Sequence, residues 1–172
     1  MQNRDRLIGT SRIVARLGTI VNRLFLLAVS LGLLASFVFS SLVSRFLIQS
    51  APGIDAAHEL IGLRYEGLIG VVMAVSTDRL LVALGQMIET ARVGDPFVAA
   101  NAQRLQTVGW SLLALQLLDI PFAIFSRYFP NLGSGGDGDY SVGGWVAVLL
   151  VFVLSRVFAS GTMMRDELEG TI

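Results

Sequence analysis

Residues 94–110 read Gly-Asp-Pro-Phe-Val-Ala-Ala-Asn-Ala-Gln-Arg-Leu-Gln-Thr-Val-Gly-Trp, and this stretch decides the fold because it joins one pair of apolar segments to the next. Gly94 suits the left-handed end of a helix, Asp95 can accept hydrogen bonds from the free amides of a following helix, and Pro96 fits a first helical turn. One helix therefore ends here and another begins. Asn101, Gln103, Arg104 and Gln106 alternate with Leu105 and Val108 in a half-polar lead-in. The apolar run that opens at Trp110 then has the form of a membrane helix leaving an interface, with the indole at headgroup level.

The composition agrees with a bilayer as solvent. Of 172 residues, 53% are hydrophobic and only 15% charged, with a mean hydropathy of +0.68. A soluble domain carries about a quarter charged residues. The formal net charge is zero, so no basic field argues for direct contact with nucleic acid. The absence of cysteine excludes disulfides, thiolate nucleophiles and cysteine metal sites, and one histidine excludes a histidine cluster. No cofactor is expected.

Working outward, four spans are predicted, at about residues 24–44, 64–88, 108–126 and 142–162, in a single all-α transmembrane domain covering residues 1–172. Residues 24–44 carry no charge and are too long for a signal-peptide core, so they are expected to stay as the first span. Ala28, Gly32, Ser36 and Ser40 recur along it every fourth residue as a face for close helix packing. Before it, Arg12, Arg16, Thr19 and Arg23 form one stripe and Ile13, Leu17, Ile20 and Leu24 another, which predicts an amphipathic helix lying on the membrane surface before the chain turns in. A topology signal is the preferred reading of these arginines over a basic arm for a partner.

Residues 45–66, with Pro52, Asp55, His58, Glu59, Arg64 and Glu66, read as a polar passage between spans. The second span is interrupted by Asp78 and Arg79 and is expected to run past the bilayer to Arg92 and Val93. The third carries Asp119 and then Pro121, which frees the carbonyl of Leu117 and predicts a kink. Residues 131–144 hold six glycines with Asp137 and Asp139 and read as a flexible linker; no strand or lysine makes it a phosphate loop, and two aspartates do not make a calcium site. The fourth span holds Arg156 and ends in a charged tail. Ten of the thirteen arginines fall in the amino-terminal arm, the middle connection and the tail, against Arg45, Arg64 and Arg127 in the two other loops. That bias predicts both termini in the cytoplasm.

The middle connection and the tail also carry a resemblance. The residues 94–97, Asn101 to Leu105, Gly109-Trp110, Val157-Phe158, Gly161 and the run 165–172 together resemble a bacterial family catalogued as domain of unknown function 2975, from about the first span onward. The resemblance implies a four-helix inner-membrane protein with no assigned reaction. Members are often encoded beside a small helix-turn-helix regulator, which implies by association a membrane partner for a transcription regulator. Ala99 and Ala100 stand where many relatives have proline and glutamate, and Arg156 where many have glutamate before Val-Phe.

Three function classes compete. An enzyme would need a nucleophile, base or metal set, which scattered serines, His58 and isolated carboxylates do not supply. A transporter or channel subunit, in a homo-oligomer, would use the intramembrane charges Asp78, Arg79, Asp119 and Arg156. A regulatory or scaffolding protein fits the polar connection and tail, with Asn101, Arg104, Arg165, Asp166, Glu167 and Glu169 as the candidate cytoplasmic partner surface. The third class is preferred. Counting inward along the second and fourth spans places Asp78 and Arg156 at equal depth, as a candidate charge pair.

Overall fold

The computed structural model describes residues 2–50, 53, 55–93, 97–129, 132 and 141–169, with the side chains of 2–8, 166, 168 and 169 outside the described set. Its elements are α1 (Gln2–Val38), α2 (Ser40–Ser50), α3 (Ala56–Val93), α4 (Ala99–Tyr128) and α5 (Val142–Glu169). No strand occurs among the described residues. Among the described residues four stretches are long and apolar enough to cross a membrane: Gly9–Val38, Ala56–Val93, Ala99–Tyr128 and Val142–Arg165. The protein is thus an all-α, multi-pass membrane protein.

The outward surfaces say the same. On α1 the apolar stripe of Ile13, Leu17, Ile20 and Leu24 is 55–61% exposed, whereas Arg12 and Thr19 of the polar stripe are half-buried. A soluble helix would do the opposite, because water would drive the apolar stripe inward. In a bilayer the lipid chains are as apolar as leucine, so that pressure vanishes.

Several boundaries differ from the sequence reading. α1 is one continuous helix of 37 residues with no turn near Arg23. At 1.5 Å per residue it is about 55 Å long, well beyond the roughly 30 Å of hydrocarbon. It breaks instead at Phe39, inside the expected first span, where α2 begins. The passage 45–66 is largely helical: α2 holds Arg45, and α3 starts at Ala56, so His58, Glu59, Arg64 and Glu66 all lie on a helix. Asp55 explains that start, since its Oδ1 accepts the backbone amides of Ala57 (3.0 Å) and His58 (3.4 Å) as an N-cap. α3 does continue to Val93.

α4 begins at Ala99, with the amide of Asn101 donating to the Val98 carbonyl (2.8 Å). Gly94, Asp95 and Pro96 lie outside the described residues, as do the glycines and aspartates of 133–140. α4 runs on through Pro121 to Tyr128 without a break. α5 is capped by Ser141, whose Oγ accepts the Gly144 amide (3.2 Å), and continues helically past Arg156 into the charged tail.

The chain divides into two compact units. The first comprises residues 1–22, 76–114 and 141–172, the second residues 23–75 and 115–140. In the first unit Ala83, Leu105, Val108 and Val148 are buried, and Gly18 of α1 lies against Leu81 of α3. In the second, Phe125 is almost wholly buried and stacks on Phe129 (5.1 Å between centroids) and Tyr65 (5.8 Å). The small residues that let α1 and α3 approach here are on α3: a Cβ on Gly67 would lie 3.1 Å from Leu33, and one on Gly70 3.3 Å from Val29. Of the face expected on α1, Ser36 is buried, but Ala28 and Gly32 are exposed and no atom lies within 4 Å of a Cβ at Gly32.

The break at Phe39 has a local cause in the second unit. Arg64 Nη2 donates to the carbonyl of Ser36 (2.8 Å), the group that an unbroken helix would offer to the amide of Ser40. The guanidinium carbon also sits 4.2 Å above the Phe37 ring. A positive charge from α3 thus takes over the carbonyl that the break leaves open.

Candidate functional site

In the first unit the end of α3 and the start of α4 are joined by a network of polar side chains. Thr90 lies one turn before the end of α3 and Asn101 in the first turn of α4. The Asn101 Nδ2 donates to Thr90 Oγ1 (2.8 Å), and the Thr90 hydroxyl donates to the Met87 carbonyl (2.9 Å). Arg104, one turn along α4, donates from Nη1 to Asn101 Oδ1 (2.8 Å) and from Nε to Gln86 Oε1 (3.1 Å). Asn101 is 2% exposed, so both halves of its amide are satisfied inside the protein. The four side chains Gln86, Thr90, Asn101 and Arg104 form a clamp that fixes the entry of α4 against the end of α3.

The expected partner surface is corrected by this geometry. Asn101 is buried and cannot be offered to a partner, and the half-buried Arg104 spends its guanidinium on the clamp. Arg165 and Glu167 are exposed on the last turns of α5, beside exposed Met163 and Met164. The side chains of Asp166 and Glu169 lie outside the described residues.

The connection is joined to α5 by aromatic contacts. Phe97 stacks on Phe158 with centroids 5.1 Å apart, and a Cβ on Gly161 would lie 3.8 Å from Phe97. Further along, Trp110 meets Phe152 edge-on at 5.3 Å, and a Cβ on Gly109 would lie 3.1 Å from the same ring. The paired motifs of the resemblance, far apart in sequence, are therefore in contact in the first unit.

The charges are arranged differently from the depth count. Glu89 is the carboxylate that gathers cations, with Arg92 Nη2 at 2.7 Å and Arg12 Nε at 3.4 Å. An arginine of the basic amino-terminal stripe thus meets a partner within the chain. Arg156 is not brought to Asp78: it is exposed and lines a cavity of about 400 Å³ with Gln103 and Gln106 of α4 and Phe152, Ser155 and Ala159 of its own helix. Arg156 thus lies on the side of α5 that carries Phe152, which packs on Trp110 of α4, and faces the two glutamines. Arg79 is exposed and lines a second cavity, about 320 Å³, walled by Ser76, Thr107, Trp110 and Ser111. Asp78 and Asp119 are both half-buried.

The second unit holds an apolar cavity of about 440 Å³ lined by α1, α3 and Phe122 of α4, with Glu66 as the one ionisable lining residue among those described. His58, the one histidine, stacks on Phe129 at 4.5 Å. Neither Glu66, the Arg64–Ser36 bond nor the partnership of Thr90 with Asn101 was singled out from sequence. The available signals were weak: an acid directly before an apolar run, and a threonine in a polar turn.

A family model described as "Protein of unknown function (DUF2975)" matches residues 55–172. The chain belongs to this family. The match to DUF2975 begins at Asp55, the cap of α3, and not at the first span as the resemblance suggested. It takes in the whole clamp, the Phe97–Phe158 contact and Glu66, and leaves α1 and α2 outside. No curated protein and no solved structure matches the chain.

Proposed function

We propose that this DUF2975 protein is a regulatory or scaffolding membrane partner of a small helix-turn-helix DNA-binding regulator, acting by binding and not by catalysing a reaction. It sits in a bacterial inner membrane with both termini in the cytoplasm. The observation that carries the reading is the exposed, charged end of α5, with Arg165 and Glu167, on a helix tied through Phe97–Phe158 to the clamped α3–α4 connection. A pre-organised surface loses less entropy on binding than a mobile one. The arginine distribution supports its cytoplasmic placement.

A photo-crosslinking residue at Glu167 in native membranes tests this. Capture of a DNA-binding protein, identified by mass spectrometry, is the expected outcome; capture of lipid and neighbouring membrane proteins alone would overturn it. A second reading, a subunit of a small oligomeric transporter or channel, is favoured by Arg79 among the hydroxyls of Ser76, Thr107 and Ser111. Solute flux in liposomes that disappears in Arg79→Gln would replace the first reading with this one.

A further inference from the structure

We propose that the cavity of the second unit binds a lipophilic cation, an ammonium or similar charged centre on a compact apolar body. This site is independent of the partner surface on the first unit.

The lining is built from three helices at helical spacing. Leu63, Glu66, Gly67, Gly70 and Met73 form one stripe of α3, facing Phe25, Val29, Gly32 and Leu33 of α1, with Phe122 closing from α4. Gly67 and Gly70 let α1 pack closely against α3 at the wall of the cavity, and the missing side chain at Gly32 leaves open space beside it. At about 440 Å³ it has the size of a site for a drug-sized molecule.

Charge selects the occupant. Among the described residues Glu66 brings the one carboxylate to the lining, and no lysine, arginine or histidine shares the lining to neutralise it. Among the described residues Glu66 makes neither an ion pair nor a hydrogen bond. A carboxylate in apolar surroundings gains most from a cation that brings its own hydrophobic body, because both ends of such a ligand find matching surface. Phe25 and Phe122 add aromatic rings, whose faces attract cations. An anionic amphiphile would meet like charge, and a neutral one would leave the carboxylate without a partner.

The test uses the full-length protein in phosphatidylglycerol nanodiscs with radiolabelled tetraphenylphosphonium as probe. Saturable binding above that of empty discs is expected, weakened about tenfold or more in Glu66→Gln by loss of a charged contact. Gly32→Leu fills the space without steric conflict, since no atom lies within 4 Å of a Cβ there, and is expected to weaken binding similarly. Equal thermal unfolding of both variants and the parent shows that the fold persists. Binding that is unchanged in Glu66→Gln, binding that is not saturable in the parent, or displacement of the probe by phosphatidylethanolamine at membrane concentrations would each overturn the proposal, the last by making a lipid amine the occupant.

Discussion

Replacing Asn101 by alanine removes the centre of the clamp. Two bonds are lost: the amide donation to Thr90 Oγ1 at 2.8 Å and the acceptance from Arg104 Nη1 at 2.8 Å. A neutral hydrogen bond contributes about 1 kcal/mol net, and one to a charged group about 2 kcal/mol. Arg104 is half-buried, so its guanidinium can regain solvent or headgroup contacts and recover about 1 kcal/mol. The expected loss is therefore about 2 kcal/mol. Reversible unfolding in mixed micelles with rising denaturing detergent measures it, and a cycle with Thr90→Val is expected to show coupling of about 1 kcal/mol. Asn101→Asp, which keeps an acceptor for Arg104, is expected to lose less than Asn101→Ala. A loss below about 0.5 kcal/mol, or strict additivity with Thr90→Val, would refute the clamp.

Glycine substitutions separate contact from propensity. Gly62→Ala would drive a Cβ into the Phe129 ring and to 2.8 Å from Leu132, and is expected to cost about 2 kcal/mol or more in the same unfolding assay, whereas Gly85→Ala meets no atom within 4 Å and is expected to be neutral or stabilising by up to about 1 kcal/mol. Arg64→Met loses the bond to the Ser36 carbonyl and the contact with Phe37, with an expected cost of about 2 kcal/mol; a parent-like midpoint would show that the break at Phe39 does not need the guanidinium. Cysteines placed singly at Ser11, Gly135 and Thr171 are expected to react with an impermeant thiol reagent added outside only at Gly135. Labelling at Thr171 from outside would invert the topology.

The four spans were legible because long apolar runs have no other stable environment than lipid. Hydropathy marks where the membrane is, however, and not where a helix is, so the charged residues from His58 to Glu66 read as a loop although Asp55 caps a helix that carries them. The orientation of α1 was hidden for a related reason. Its amphipathic pattern is the same whether the apolar stripe faces a membrane surface or the lipid of a spanning helix, and only the contacts of Arg12 with Glu89 and Gly18 with Leu81 show which side meets protein. Asn101 looked like a surface residue because its type and its place in a polar connection are those of an exposed turn. Its burial depends on Thr90, eleven residues earlier, and on where α3 ends. Arg156 shows the limit of counting depth, which fixes the level of a side chain in the membrane but not its direction around the helix.

The proposed function is the retention of a soluble DNA-binding regulator at the exposed end of α5. Its most direct measurement is the share of the crosslinked regulator that sediments with membranes in cells carrying the parent chain, the Arg165→Glu/Glu167→Lys double variant, or no copy of the protein. Membrane association is expected with the parent and a shift to the soluble fraction in the other two, with the variant still inserted at parental levels. A regulator distributed identically in all three would contradict it.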